Sequence, residues 1–289
     1  MKFWHSLQFT GTGDLLSLAR TVERETPFHG VFLGDHLVHP EHVLSTYPNT
    51  SDGRPGWPAA THWPDLGATM GAIVAATHRL EVTTSIMVLP LRHPIVVAKM
   101  LATLSVLSDR RVSLGIGVGW MEDEFRALGV DFHTRGRRCD EMIDVMRLLW
   151  SGEMTEFNGE FFEFPRLASN PKPLEPVPLY VSGFSRASMR RAVEKGDGWI
   201  SGNTAPERVL EALPVITRML ADAGRDDGSF ELIVTAKPDL EFLKRLRDLG
   251  VTSVFSYPHA ERYARTPTAR EITDDLLRYS ESIIEKLGS

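Results

Sequence analysis

The sequence predicts a (β/α)8 barrel. Three observations predict it. β-like and helix-like stretches alternate from end to end, no hydrophilic linker divides the chain into halves, and glycines or polar residues follow most of the apolar strand runs. With 289 residues, 42% hydrophobic and 24% charged, one such barrel over residues 1–289 has chain enough for a large core.

Taken in order, the first strand is Lys2–Phe9, and a helix runs from about Gly13 to Glu25. Gly30–Leu33 is the second strand, ending in Gly34-Asp35-His36. The stretch Leu37–Pro64 is polar, proline-rich and without period, which in a compact enzyme marks a functional loop. A helix over Asp65–Thr77 leads to Leu80–Leu89, the most β-like run in the chain. Pro94 opens the next helix, where its missing N–H is harmless, and Val97, Met100, Leu101, Leu104 and Leu107 form its apolar stripe.

Arg111–Gly117 is the fourth strand. Thr134 is placed to cap a helix whose inner face is Met142, Val145, Met146 and Leu149. Asn158-Gly159 has the chemistry of a tight hairpin turn between aromatic arms, an insertion outside the main alternation. Leu179–Ser182 is a strand, and Ser185 caps a helix ending at Gly196. Trp199–Ser201, Phe230–Thr235 and Thr252–Ser256 complete the strands. A helix over Asp239–Leu249, with Gly250 at its C-terminus, and a last helix over Ala269–Leu287 complete the alternation. Insertions thus follow strands two and four.

Composition excludes several function classes. A net charge of −6 offers no basic field for nucleic acid. The basic run Arg135–Arg138 is followed at once by Asp140, Glu141 and Asp144, which reads as a salt-bridged helix face. One cysteine, Cys139, permits no internal disulfide and fits a reducing compartment. Met1–Thr10 lacks the form of a signal peptide, and no apolar run has bilayer-spanning length. A cytoplasmic protein is expected, with no membrane partner.

Barrel enzymes place chemistry at the C-terminal ends of the strands. Those ends carry Asp35 and His36, Ser85 and Ile86, Gly117-Val118-Gly119-Trp120, Ser182-Gly183-Phe184, Lys237 and Tyr257–His259. The Gly115–Gly119 run lets backbone approach something flat or anionic, and glycines that merely make room for packing are the alternative. Ser182–Ser185, a strand end running into a capped helix, suits a phosphate. His36 at a strand end can donate to a cofactor or substrate. Trp57, Trp63 and Trp120 can wall a pocket for a flat or apolar molecule. Two rival readings are weaker. Gly11-Thr12-Gly13 with Asp35 outlines a dinucleotide fingerprint, but Leu16 stands where its third glycine belongs. His36, His39, His42 and His62 match no zinc spacing, so no metal is expected. A metal-dependent barrel hydrolase and a non-catalytic cofactor carrier remain as alternatives of another class.

Together these residues resemble the luciferase-like monooxygenase superfamily over nearly the whole chain. The resemblance is carried by Gly34-Asp35-His36, Thr84–Met87, the block Leu114–Phe132, Arg135–Trp150, and Pro178–Gly183 into Asp197–Ser201. The stretch from Tyr47-Pro48 to Trp63-Pro64-Asp65 resembles a subgroup that uses the deazaflavin coenzyme F420; FMN, with oxygen insertion, is the alternative cofactor. The resemblance implies a ring lying across the strand ends, its tail held by backbone at Gly117, Val118, Gly119 and at Ser182, Gly183, Phe184. It also implies a bulge at Ser85-Ile86, with a non-proline cis peptide, behind the ring. His36 falls where related sugar-phosphate dehydrogenases have a catalytic histidine. Their acid after strand four is replaced by Gly119-Trp120, which turns the expectation away from sugar phosphates. Hydride transfer between reduced deazaflavin and an electron-poor small molecule is the expected reaction, with Asp35 beside the cofactor. Arg92, Arg186 and Lys237 are candidate cations for its tail, and Glu122 and Glu124 are expected to be solvated or paired with arginine. A homodimer and a separate cofactor reductase are the implied partners.

Overall fold

Parallel strands and surface helices follow each other through the whole described chain. The structure is a computed structural model, and it describes residues 1–48, 50, 52–226, 228–257 and 268–288. In chain order the elements are β1 (Lys2–Ser6), α1 (Leu15–Glu25), β2 (Gly30–Leu33), α2 (Leu66–Ala76), β3 (Glu81–Thr84), β4 (Met87–Val88) and α3 (Pro94–Ser108). Then come β5 (Leu114–Gly117), α4 (Glu122–Ala127), α5 (Arg135–Leu149), and the antiparallel pair β6 (Thr155–Asn158) and β7 (Glu163–Leu167). The remainder is β8 (Leu179–Ser182), α6 (Arg186–Lys195), β9 (Gly198–Ile200), α7 (Pro206–Asp222), β10 (Glu231–Thr235), α8 (Leu240–Asp248), β11 (Ser253–Ser256) and α9 (Ala269–Tyr279). A π-helical turn, Ser280–Ile284, carries α9 into a last turn.

The main sheet has 9 strands in the order β3-β2-β1-β11-β10-β9-β8-β5-β4, all paired in parallel. Because β3 and β4 are the two halves of one strand position, the order closes on itself. A parallel bridge from Val82 to Val112 ties β3 to the chain entering β5. The expected barrel is therefore the observed one. Among the described residues no helix is long and apolar enough to cross a membrane.

Alternate strand residues face opposite ways, so the barrel has two cores. Phe3, Val31, Val82 and Val254 pack outward against the helices in the larger one. Trp4, Phe32, Tyr180, Ile200, Ile233 and Phe255 form a second cluster, the interior plug, with Phe32 and Phe255 stacked at 4.3 Å. Glycine makes room for these large side chains. A Cβ on Gly30 would lie 2.4 Å from the Trp4 ring, and one on Gly115 would lie 2.0 Å from the Thr84 carbonyl oxygen. Gly115 is thus a packing glycine, and the plug closes the barrel below its mouth.

Several local expectations are corrected. β1 stops at Ser6, not Phe9, because Phe9 takes a positive φ of 62° that no strand accommodates. α1 starts at Leu15, two residues after Gly13. The third strand breaks at Ser85-Ile86, whose peptide is cis as the resemblance implied. Thr134 makes no side-chain cap, because a 3-10 turn over Phe132–Thr134 already feeds α5. The Asn158-Gly159 turn is wider than a tight hairpin: Asn158 pairs with Glu163 across four loop residues. The Glu141 carboxylate organises that loop, accepting from the N–H groups of Glu160, Phe161 and Phe162. Nor do the acids of α5 pair with its own arginines. Asp140 binds Arg191, Asp144 binds Lys195, and Arg137 binds Glu160, tying α5 to α6 and to the hairpin. Ser185 does cap α6, accepting from Ser188 N at 3.1 Å.

Candidate active site

Above the plug lies a cavity of about 870 Å³, walled by the strand ends and by the long segment between β2 and α2. Asp35, His36, Ser85, Ile86, Gly119 and Ser182 line it, as do Trp57, Trp63 and Trp120. Gly117, Val118, Gly183 and Phe184 are not among its lining residues. Gly117 stands behind the bulge, where a Cβ would meet the Ile86 side chain at 2.7 Å. Gly183 takes a φ of +130°, and its carbonyl accepts from the Trp199 indole at 2.8 Å. Phe184 packs edge-on against Trp199 under the Arg208 guanidinium. The segment Ser182–Phe184 at the end of β8 thus supplies Ser182 to the cavity and packing beside it. His259 lies outside the described residues.

His36 stands at the centre of an aromatic cluster. Its ring lies 5.1 Å from Trp57, 4.9 Å from Trp63 and 6.0 Å from Trp120, centroid to centroid. Tyr47 closes the outer side against Trp57 and Trp120, and Phe9 packs on Trp63. Phe9, at a positive φ of 62°, lies beyond the end of β1, and its ring also meets Trp57.

One carboxylate holds the imidazole. Glu124, on the first turn of α4 and only 1% exposed, approaches His36 Nδ1 with Oε2 at 3.0 Å. Its Oε1 accepts from Leu37 N at 2.7 Å. The expectation of a solvated or arginine-paired Glu124 is therefore wrong; that description suits Glu122, which faces Arg126 at 3.4 Å. The acidic run on α4 divides its work. Asp123 accepts from the N–H and hydroxyl of Ser45, and Ser45 Oγ in turn accepts from Glu122 N at 2.8 Å. The β2–α2 segment is thereby fastened to α4 at two places.

Asp35 is also anchored. Arg92 reaches its carboxylate with both terminal nitrogens, at 2.6 and 2.8 Å, and Val88 N donates at 2.9 Å. Asp35 borders the cavity, but its carboxylate is engaged in joining β2 to β4. Arg92 is therefore no free cation for a cofactor tail. Of the other two candidates, Lys237 lines the cavity and Arg186 does not.

Sequence reasoning missed Gln8, misplaced Glu124 and named Tyr257 only as a strand end. Gln8 Nε2 donates to the Ser85 carbonyl at 2.9 Å, and Tyr257 OH donates to Gln8 Oε1 at 3.2 Å. This chain braces the bulge from β1 and β11. Burial pushes the Tyr257 phenol above its ordinary range, so at neutral pH it remains a donor. Gln8 falls inside the expected first strand, Lys2–Phe9, so no sequence signal marks it; the observed strand ends at Ser6 and leaves Gln8 at the mouth. His39 bonds Pro40 O and His62 bonds Thr12, each away from His36. Among the described residues no group of three His, Cys, Asp or Glu is placed to hold a metal.

Comparison with known proteins places this geometry. An uncharacterized protein of Mycobacterium tuberculosis is 30% identical over 292 residues, covering 99% of this chain and 100% of that one. An F420-dependent glucose-6-phosphate dehydrogenase of Nakamurella multipartita is 31% identical over 221 residues, 74% of this chain and 60% of the relative. The crystal structure of the monooxygenase RslO1 from Streptomyces bottropensis shares the fold, with a TM-score of 0.81 at 18% identity over 99% of this chain and 100% of that one. Residues 8–238 match the family model described as luciferase-like monooxygenase, and the chain belongs to that family.

Proposed function

We propose that this chain is an oxidoreductase of the deazaflavin type, exchanging a hydride between coenzyme F420 and a small electron-poor organic substrate. The observation that carries the reading is His36, held by a buried carboxylate inside an aromatic-walled cavity at the strand ends. A similarity to an F420-dependent glucose-6-phosphate dehydrogenase supports the choice of cofactor.

The residues fit such a group. At about 870 Å³ the cavity lies in the upper part of the range for ligand sites, about 300–1,000 Å³. The Ser85-Ile86 bulge supplies a wall braced by Gln8, against which a planar ring can rest. Gly119, at φ +83°, turns the backbone after β5 into the mouth, where a Cβ would strike Val88 at 2.6 Å and Phe125 at 2.9 Å. Ser182 faces this segment from the end of β8.

Bound reduced deazaflavin would supply the hydride. The chain supplies the rest. Trp57, Trp63, Trp120 and Tyr47 exclude water and orient a flat or apolar substrate over the strand ends. His36 takes the matching proton at Nε2, the nitrogen that Glu124 leaves untouched, when the substrate is oxidised, and gives it back from Nε2 as the imidazolium paired with Glu124 when the substrate is reduced.

Titration of the purified protein with F420 and with FMN, followed by absorbance and fluorescence, tests the reading. F420 binding is expected. Tight FMN binding without F420 binding overturns it in favour of an FMN-dependent oxygenase, and binding of both without turnover of any acceptor indicates a carrier.

A further inference from the structure

We propose that Glu124 is a positioning residue that fixes His36 as the Nδ1–H tautomer and so presents Nε2 to the reacting substrate. The inference rests on the reading of His36 as the proton-exchanging group of this site.

An ionised carboxylate only accepts hydrogen bonds. With Oε2 of Glu124 3.0 Å from Nδ1, the proton between them belongs to the histidine. The second oxygen takes the N–H of Leu37, the very next residue, so one carboxylate grips both the ring and its backbone. That double contact prevents the imidazole from swivelling. The indoles of Trp57, Trp63 and Trp120 confine it on the remaining sides.

The grip is itself fixed in place. Ser45 accepts from Glu122 N at the start of α4 and donates to Asp123, so the segment carrying the tryptophans sets the position of the helix that carries Glu124. Other ionisable groups nearby leave the assignment unchanged. Asp35, the preceding residue, is bound by Arg92, and Tyr47 contacts Trp57 and Trp120. A carboxylate partner that sets the tautomer of a working histidine is a recurring device, because the bond at one ring nitrogen decides what the other can do.

A merely structural Glu124 would tie down Leu37 and have no bearing on the tautomer. The variant Glu124→Gln separates the two roles. Its amide oxygen can keep the Leu37 bond, which turns its NH2 group toward Nδ1. Donation to Nδ1 then requires the opposite tautomer, Nε2–H. Long-range 1H–15N correlation spectra of the full-length protein labelled in its histidines read this directly. The 10 histidines are resolved by a His36→Asn variant that removes one signal.

The expected result is Nδ1–H in the wild type and Nε2–H in Glu124→Gln. Turnover with F420 should fall on the order of 10²-fold in kcat, the scale of lost general acid–base assistance, with KM changed far less. A wild-type Nε2–H tautomer, or an unchanged Nδ1–H tautomer in Glu124→Gln, overturns the proposal. If the variant does not fold, the wild-type spectrum alone decides. Failure of F420 to bind would defeat the cofactor reading and leave the tautomer result standing, so the two failures are distinguishable.

Discussion

Removing the Arg92 side chain tests the claim that Asp35 is anchored by an ion pair. In Arg92→Leu the Asp35 carboxylate, 3% exposed, keeps its bond from Val88 N and loses two charge-assisted bonds at 2.6 and 2.8 Å. Breaking a buried pair from one side typically costs about 3–5 kcal/mol, because the remaining charge is uncompensated. Arg92 is itself 15% exposed, so water can reach the vacated place and the low end, about 3 kcal/mol, applies. At about 2 °C per kcal/mol for a chain of this size, that is a fall in Tm of about 6 °C. The double variant Asp35→Asn, Arg92→Leu is the control. Asparagine still accepts from Val88 N but buries no charge, so the double variant should be more stable than Arg92→Leu alone. Urea unfolding followed by tryptophan fluorescence and far-UV circular dichroism measures both. The reasoning is refuted if Arg92→Leu costs less than about 1 kcal/mol, or if adding Asp35→Asn destabilises it further.

Two further outcomes are expected. Burial pushes the Cys139 thiol from its ordinary 9.0 up to about 12. The unfolded thiol ionises first, so its contribution is complete below pH 9 and is lost as pH rises toward 12, at about 1.4 kcal/mol per pH unit. Denaturant unfolding of Cys139→Ala at several alkaline pH values should lack this part of the decline; equal slopes in both proteins contradict it. We also propose a homodimer formed through α2 and α3. Ala68 and Ala75 on α2 and Val96 and Leu107 on α3, 65% and 70% exposed, face outward beside Lys99; Leu107, expected on the inner stripe of α3, stands outside it. Light scattering should give twice the chain mass at micromolar concentration, and a monomer there rules the interface out.

What the sequence disclosed was whatever is local along the chain. Alternation and the Ser185 cap each depend on neighbours within a few residues, and each has the predicted form. Side-chain pairings are different, because a glutamate in the run Glu122-Asp123-Glu124 has no local mark that separates a solvated acid from a buried one. Glu122 and Glu124 lie two positions apart on the same short helix and have opposite fates. The partner of Glu124 is 88 residues away, on a loop whose path no periodicity specifies. Arg92 misled for the same reason: a cation near a strand end reads as an entrance charge until Asp35, 57 residues earlier, is seen to hold it.

The same contrast explains how the site is built. The strand ends supply positions that any barrel of this kind offers, and they carry Ser85, Ile86, Gly119 and Ser182 by topology alone. The groups that make those positions reactive or selective come from elsewhere: the β2–α2 segment gives three aromatic rings, and α4 gives the carboxylate. Ser45 joins the two, so a change in that segment acts on the substrate walls and on the His36 support together. Under the proposed function, substrate preference and proton exchange are therefore coupled. Grafting the aromatic segment of a relative without its matching α4 would reshape the pocket and also detach the imidazole from its carboxylate.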